Sequence, residues 1–198
     1  MSDDKAALSE RELRFNFRSG TPALYLVETF GEWTRRRYDR ILNAEVWNSW
    51  LEQINLPQVT GKLSADDLEK MRDLRRAIYG VAQARVKGIE ALPTDIRAIN
   101  QYAAHPVPVV QLALDARTSI LPSEVTQAQV LSLLARDAVE LFSGPYADRV
   151  RVCESHICPV MFVDRSRRGD RHWCSTNCGA RHATARYRQR LSDEVVEE

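Results

Sequence analysis

All four cysteines of the chain fall near its C-terminus as Cys153-x4-Cys158-x15-Cys174-x3-Cys178, and the 152 residues before them hold none. Thiolates at two short spacings, about fifteen residues apart, suit one tetrahedral Zn2+ held as a closed structural centre. Iron also accepts four thiolates, so the spacing favours zinc by frequency and leaves iron open. The competing chemistry is two disulfides, which require an oxidising compartment. Residues 1–20 alternate charged and apolar side chains without the apolar stretch of a secretory signal, so metal ligation in a cytoplasmic protein is the expectation. No apolar run approaches the roughly 20 residues that span a bilayer, and no membrane role is expected.

The basic residues gather around the same cysteines. Residues 1–148 carry a net charge of −2, residues 149–190 carry +7, and residues 191–198 carry −4. All ten basic residues of the middle segment are arginine, which forks onto phosphate and guanine edges where lysine acts as a point charge. A positive patch confined to one small module points to a polyanionic partner, DNA or RNA. A solvated surface that keeps a small domain soluble would have the same charge density.

The module reads as a treble-clef-like finger. Cys153 and Cys158 bracket a short turn, Val160 to Asp164 and Arg171 to Trp173 are strand-like, and Ser166 to Gly169 form the turn between them. Cys174 and Cys178 are four apart, on one face of a helix beginning near Ser175. Zinc would supply the stability that so short a segment lacks in apolar core, an apparent ~10 to 16 kcal/mol in structural sites. Phe162 and Trp173 are expected to pack beside the metal. At 100° per residue the helix turns Ala183, Tyr187 and Leu191 toward the protein and aligns Arg181 with Arg188, with Arg186 and Arg190 on the flank. The hairpin turn adds Arg165, Arg167, Arg168 and Arg171. Two arginine surfaces on a metal-locked scaffold could meet two phosphates or straddle a groove, and these seven arginines (165, 167, 168, 171, 181, 186 and 188) are the candidate nucleic-acid contacts.

Other residues near the cysteines carry less chemistry. Four thiolates complete a tetrahedron, so His156, His172 and His182 are expected at the surface or behind the ligands. Asp164 is expected to act locally, pairing Arg165 or Arg171 or accepting backbone N–H groups. A closed four-thiolate site with no carboxylate cluster leaves no open metal position, so no catalytic residue and no enzyme are expected.

The elements that must position this module are helical. Residues 1–20 read as a poorly ordered lead-in. Thr21-Pro22 starts a helix with Leu24, Val27 and Phe30 buried; Asn43 caps a second with Val46, Trp47, Trp50, Leu51 and Ile54 on one face. Ser64-Ala-Asp-Asp67 opens the longest helix, running through Leu68, Met71, Leu74, Ile78, Val81 and Ala82 to about Gly88. Pro93-Thr-Asp95 starts a shorter one through Ile96, Ile99 and Tyr102. Residues 107–121 read as a small β-hairpin, Pro122-Ser-Glu124 opens another helix, and Ser143-Gly-Pro145 ends it. The fold class is mainly α: a helical domain over 21–144, a four-cysteine finger over 149–192 and an acidic tail over 193–198.

The run Cys158-Pro-Val-Met-Phe162-Val-Asp164-Arg165-Ser166-Arg-Arg-Gly169, with Trp173-Cys174-Ser175 and Cys178-Gly179-Ala180-Arg181, resembles the CGNR-type zinc finger. Upstream, Leu24-Tyr-Leu-Val-Glu28-Thr29, Leu74-Arg-Arg-Ala77, Ile99-Asn100 and Ala135-Arg-Asp-Ala138 are similar to the helical domain that precedes this finger in bacterial proteins described as stress-induced transcription regulators. The resemblance implies one structural Zn2+ on Cys153, Cys158, Cys174 and Cys178, and a regulator that binds DNA or RNA. Three positions depart from the pattern: Ala180 replaces an Asn, Ala183 a Lys and Glu28 an Asn.

Together these readings describe a bacterial transcription regulator whose helical domain receives a small-molecule or protein effector and whose finger contacts nucleic acid. The alternative is a protein-interaction or redox-sensing zinc module, with the acidic tail folding back over the arginines. Trp33, Trp47 and Trp50 either line a pocket of the helical domain or fill its core, the commoner fate of aromatics at helical spacing.

Overall fold

The computed structural model describes residues 8–33 and 37–196, with the side chains of residue 11 and of residues 189–196 excepted. Its elements run α1 (Glu10–Leu13), α2 (Pro22–Glu28), β1 (Phe30–Gly31), β2 (Tyr38–Asp39), α3 (Ala44–Gln53), α4 (Ala65–Lys87), α5 (Pro93–Ala103), β3 (Gln111–Leu112), β4 (Ser119–Ile120), α6 (Gln127–Ser143), β5 (Val150–Val152), β6 (Met161–Val163) and α7 (Thr176–Val196). The chain is mainly helical, and its strands form three two-stranded antiparallel ribbons, β1-β2, β3-β4 and β5-β6. None of the described helices is long and apolar enough to cross a membrane.

The helix starts follow local chemistry. Ser64 and Asp67 close a reciprocal capping box on α4, whose acidic first turn and basic last turn both suit the helix dipole, and Gly88 ends it in the left-handed conformation. Asn43 accepts the N–H of Val46 to cap α3. Two starts differ from expectation. α6 begins at Gln127 rather than near Pro122, because Thr126 and Gln129 form its capping box while Val125 is held extended by mutual bonds with Thr60. Thr21 does not cap α2. Its hydroxyl instead donates to Asp137 of α6, which also accepts the Ala23 N–H, so α6 supplies the cap.

One core joins α2, α3, α4, α5 and α6. Leu24, Leu26, Trp47, Trp50, Met71, Leu74, Ile78, Leu131 and Leu134 are almost fully enclosed. Trp47 and Trp50 stack with ring centroids 5.1 Å apart, and Trp47 donates its indole N–H to Gln127 at 2.8 Å; both are core residues rather than pocket walls. Trp33 is half-buried and stacks on Tyr79 at 3.9 Å. The β1-β2 ribbon was not expected. At Gly31 any Cβ would collide with the Tyr38 ring, so only glycine lets that ring lie across the partner strand. The ribbon delivers Asp39 to a buried fork with Arg75, at 2.7 and 2.8 Å, reinforced by Arg72 at 3.0 Å.

The hairpin read over 107–121 is present as β3-β4, and its apolar residues face solvent: Leu112 is 70% and Leu114 107% exposed.

Where it is described, the lead-in packs against the helical domain. Ser19 is fully buried and donates to the Glu28 carboxylate, which also accepts the Arg18 N–H at 2.8 Å; Phe17 packs edge-on against Tyr25. Expectations for the first seven residues, and for the side chains of Arg190, Leu191 and the tail over 193–198, lie outside the described residues.

Candidate metal centre and the basic finger

The finger is built on β5 and β6. Their register sets Val150 opposite Val163 and Val152 opposite Met161, and the loop between the strands is the Cys153–Cys158 knuckle itself. The expected partner of the Met161–Val163 strand was Arg171 to Trp173, which form no strand. The physical reason is Asp164. Its fully buried carboxylate accepts the backbone N–H groups of Ser166 at 2.9 Å and Arg171 at 2.8 Å, closing residues 164–171 into a loop rather than a ladder. Arg151 stands 3.7 Å away as its ionic partner. Burial opposes the charge, yet the bonds from Ser166 and Arg171 and the Arg151 guanidinium outweigh it and hold the Asp164 carboxyl below its ordinary value. The local role read for Asp164 is thus its structural role, with Arg151 in place of the Arg165 or Arg171 guanidinium as the pairing cation.

Four sulfurs converge at the end of this ribbon. Those of Cys153, Cys158, Cys174 and Cys178 all lie within 4.8 Å of one another; Cys158 and Cys174 are 3.6 Å apart, and Cys174 and Cys178 3.7 Å. Sulfurs about 2.3 Å from one ion at tetrahedral corners stand about 3.8 Å apart, so the four cysteines fit a single Zn2+. The four thiols are free, and three are buried, with Cys158 half-buried. Crowding against Cys158, and then burial, pushes the Cys174 thiol far up, and burial raises Cys153. A bound dication reverses that cost by deprotonating all four, which is the chemistry of a structural zinc.

Second-layer contacts fix the ligands. Cys174 donates its N–H toward Cys153 Sγ at 3.5 Å, and Phe162, 1% exposed, packs directly on the cluster. Trp173 lies against Gly179, where a Cβ would approach the indole to 3.3 Å, and takes His172 and His182 at its edges at 5.6 and 5.5 Å. His172 pairs with Glu154 at 2.8 Å and His156 is exposed, so no histidine joins the sulfur cluster. Cys174 precedes α7 and Cys178 sits in its first turn, where the Ser175 hydroxyl accepts the Cys178 N–H at 3.3 Å.

Arg18 was not foreseen. It reaches from the lead-in to Cys178, with Nη1 3.9 Å from Sγ. The sequence carries no signal for a contact across so many residues. Arg149 and Arg151, also missed as braces, donate to the carbonyls of Ser166 at 2.8 Å and Gly169 at 2.6 Å.

The seven candidate arginines divide in the structure. Arg171 is engaged within the finger, its guanidinium over the Phe162 ring at 5.2 Å and bonded to the carbonyls of Trp173 and Cys174 at 3.3 and 3.0 Å. Arg165 is exposed and sits over Tyr146 at 5.2 Å. The side chains of Arg167, Arg168, Arg181 and Arg186 are exposed and make no hydrogen bond or ion pair with another described residue; Arg188 is exposed on the same helix. Ala183 and Tyr187, expected to face the protein, are exposed too, because α7 leaves the body beyond His182.

The ribbon fastens the finger to the helices. Val150, Met161 and Val163 belong to the helical core, and the Val163 N–H donates to Ser19 O at 2.9 Å. A polar cleft of about 500 Å³ lies along this junction, with Arg18, Glu28, Trp33 and Arg40 on one wall and Cys158 and Arg181 on the other.

Comparison with protein families places both halves. Residues 20–145 match the ABATE family, described as "Putative stress-induced transcription regulator", and residues 149–191 match the CGNR zinc finger. No curated protein matches the chain.

Proposed function

Because this chain belongs to the ABATE family of transcription regulators and ends in a CGNR zinc finger, we propose that it is a cytoplasmic regulator that binds nucleic acid through the finger's arginines. The observation that carries this reading is the finger's +7 charge together with Arg167, Arg168, Arg181 and Arg186, exposed and without a described partner on a zinc-locked frame. Exposed guanidinium groups on a rigid support suit phosphate contacts that release counterions. Four thiolates close the zinc shell, so the site is read as non-enzymatic. An effector in the junction cleft would touch the helical domain and the finger at once, and this is where the signal is read as entering.

The test is fluorescence anisotropy with labelled DNA and RNA across a salt series. Affinity is expected to fall linearly in log–log form with salt, and the R167E/R168E and R181E/R186E pairs are expected to weaken it by tenfold or more, with zinc content unchanged. Absence of binding to any DNA or RNA at low salt would sink the reading. The redox alternative has one observation in its favour, the slightly exposed ligand Cys158. Peroxide titration with a zinc-release dye decides it: zinc held at millimolar peroxide rejects a sensor.

A further inference from the structure

Helix α7 is unusual in what it leaves uncovered. Its Cys178 and His182 side faces the metal and Trp173, yet from Ala183 to Arg188 every side chain is exposed. A projecting helix of this length is marginal in water by itself, so its rigidity comes from the zinc-fixed first turn. Asn177, Arg181, Thr184 and Arg188 fall within roughly 60° of one another around the helix, a single stripe away from the metal side. All four are exposed and line an open groove of about 730 Å³, with His156 and Ile157 of the knuckle on its far side.

We infer that α7 enters the major groove of duplex DNA and reads base edges with this stripe, an inference that rests on the nucleic-acid reading above. The residue types match base chemistry. Asn pairs bidentately with adenine, Arg with guanine, and a Thr methyl meets the thymine methyl. The Thr184 hydroxyl is already bonded to Ala180 O at 3.0 Å, which leaves its methyl for that contact. Ala180 and Ala185 line the same groove and extend no further than Cβ, so the helix backbone can approach the base pairs. Arg186 lies on the opposite side of α7 and Arg167 and Arg168 on the 164–171 loop, where they suit phosphates rather than bases.

Duplex DNA is favoured over RNA on two grounds. The B-form major groove admits a helix, while the A-form major groove is too deep and narrow. Single-stranded RNA is gripped by exposed aromatic platforms. Here Phe162 is 1% exposed and Trp173 is packed between Gly179 and two histidines, so among the finger's described Phe, Tyr and Trp rings only Tyr187 is open, beside the exposed imidazoles of His156 and His172.

The experiment is selection from a random duplex DNA library, then anisotropy with the selected duplex, a scrambled duplex, single-stranded RNA and double-stranded RNA. Expected is a selected-site preference of at least tenfold over the scrambled duplex and over both RNAs. N177A and R181A, with zinc content and circular dichroism retained, should each cut selected-site affinity by about 5- to 100-fold, N177A with little change on the scrambled duplex and R181A with a clearly smaller loss there from its missing charge. R167A/R168A should weaken both duplexes equally. Equal or tighter RNA binding, or a preference that survives the N177A/R181A double variant, overturns the inference and leaves the nucleic-acid reading standing. Failure to bind any of the four probes overturns both.

Discussion

Arg18 Nη1 stands 3.9 Å from the sulfur of Cys178, a residue 160 positions further along the chain. A zinc ion with four thiolates is a net dianion, and Arg18 is a cation set against it by the Arg18 N–H bond to Glu28. The thiolates of Cys174 and Cys158, together with Glu28, hold the Arg18 guanidinium firmly protonated in spite of its burial.

Arg18→Gln is therefore expected to loosen the metal. Zinc transfer to a chromogenic chelator should become about tenfold faster, since partners behind the ligands commonly carry effects of that size. An unchanged transfer rate would mean that Arg18 is a bystander.

Metal removal is expected to destabilise more than the finger. Val150, Met161 and Val163 lie in the helical core, so stripping zinc should lower the main thermal transition followed by circular dichroism at 222 nm by several degrees. Two separate transitions, with the upper one unmoved by chelator, would contradict this coupling.

Asp39 and Arg75 make a prediction in the helical domain. The Arg75 side chain is 3% exposed, so Asp39→Asn strands a buried charge and should cost about 3 kcal/mol in urea denaturation at neutral pH. Burial works against the Asp39 charge, but the bonds and charges of Arg75 and Arg72 win and hold its carboxyl below the usual carboxylate range. The stabilisation is thus complete above the unfolded value of about 3.9 and disappears as pH falls through the lower folded value. The gap between wild type and variant should accordingly narrow below about pH 4. A gap independent of pH would show that the carboxylate charge is not what matters.

Gln127 bridges two helices, accepting from Trp47 at 2.8 Å and donating to Asp67 O at 3.0 Å. Gln127→Leu leaves the indole N–H buried without its acceptor, and a loss of about 1 to 3 kcal/mol is expected by the same denaturation. A neutral result would require the indole to find another acceptor, visible as an unshifted Trp47 N–H resonance.

Residues with strong local signals were legible in the sequence. The capping box at Ser64, the Asn43 cap and the stop at Gly144 depend on neighbours a few positions away, and the four metal ligands on two short cysteine spacings; each is where the pattern puts it. What sequence did not disclose depends on distant partners. The β5 strand is three residues long and abuts the first cysteine, too short to show alternation. Asp137 capping α2 and Arg18 meeting Cys178 are tertiary events with no periodicity to betray them. The outward course of α7 was misjudged for a related reason: Ala183 and Tyr187 have apolar spacing, but no surface of the body extends far enough to meet them.

The bond from Val163 to Ser19 O bears on how this molecule can be dissected. A fragment cut at residue 20, where the family likeness begins, would keep every recognised motif and every zinc ligand. It would also leave the Val163 N–H without its acceptor and the metal without its counter-cation. The smallest faithful piece of this protein therefore starts upstream of the homology, and binding measured on a tidier fragment would describe a damaged finger.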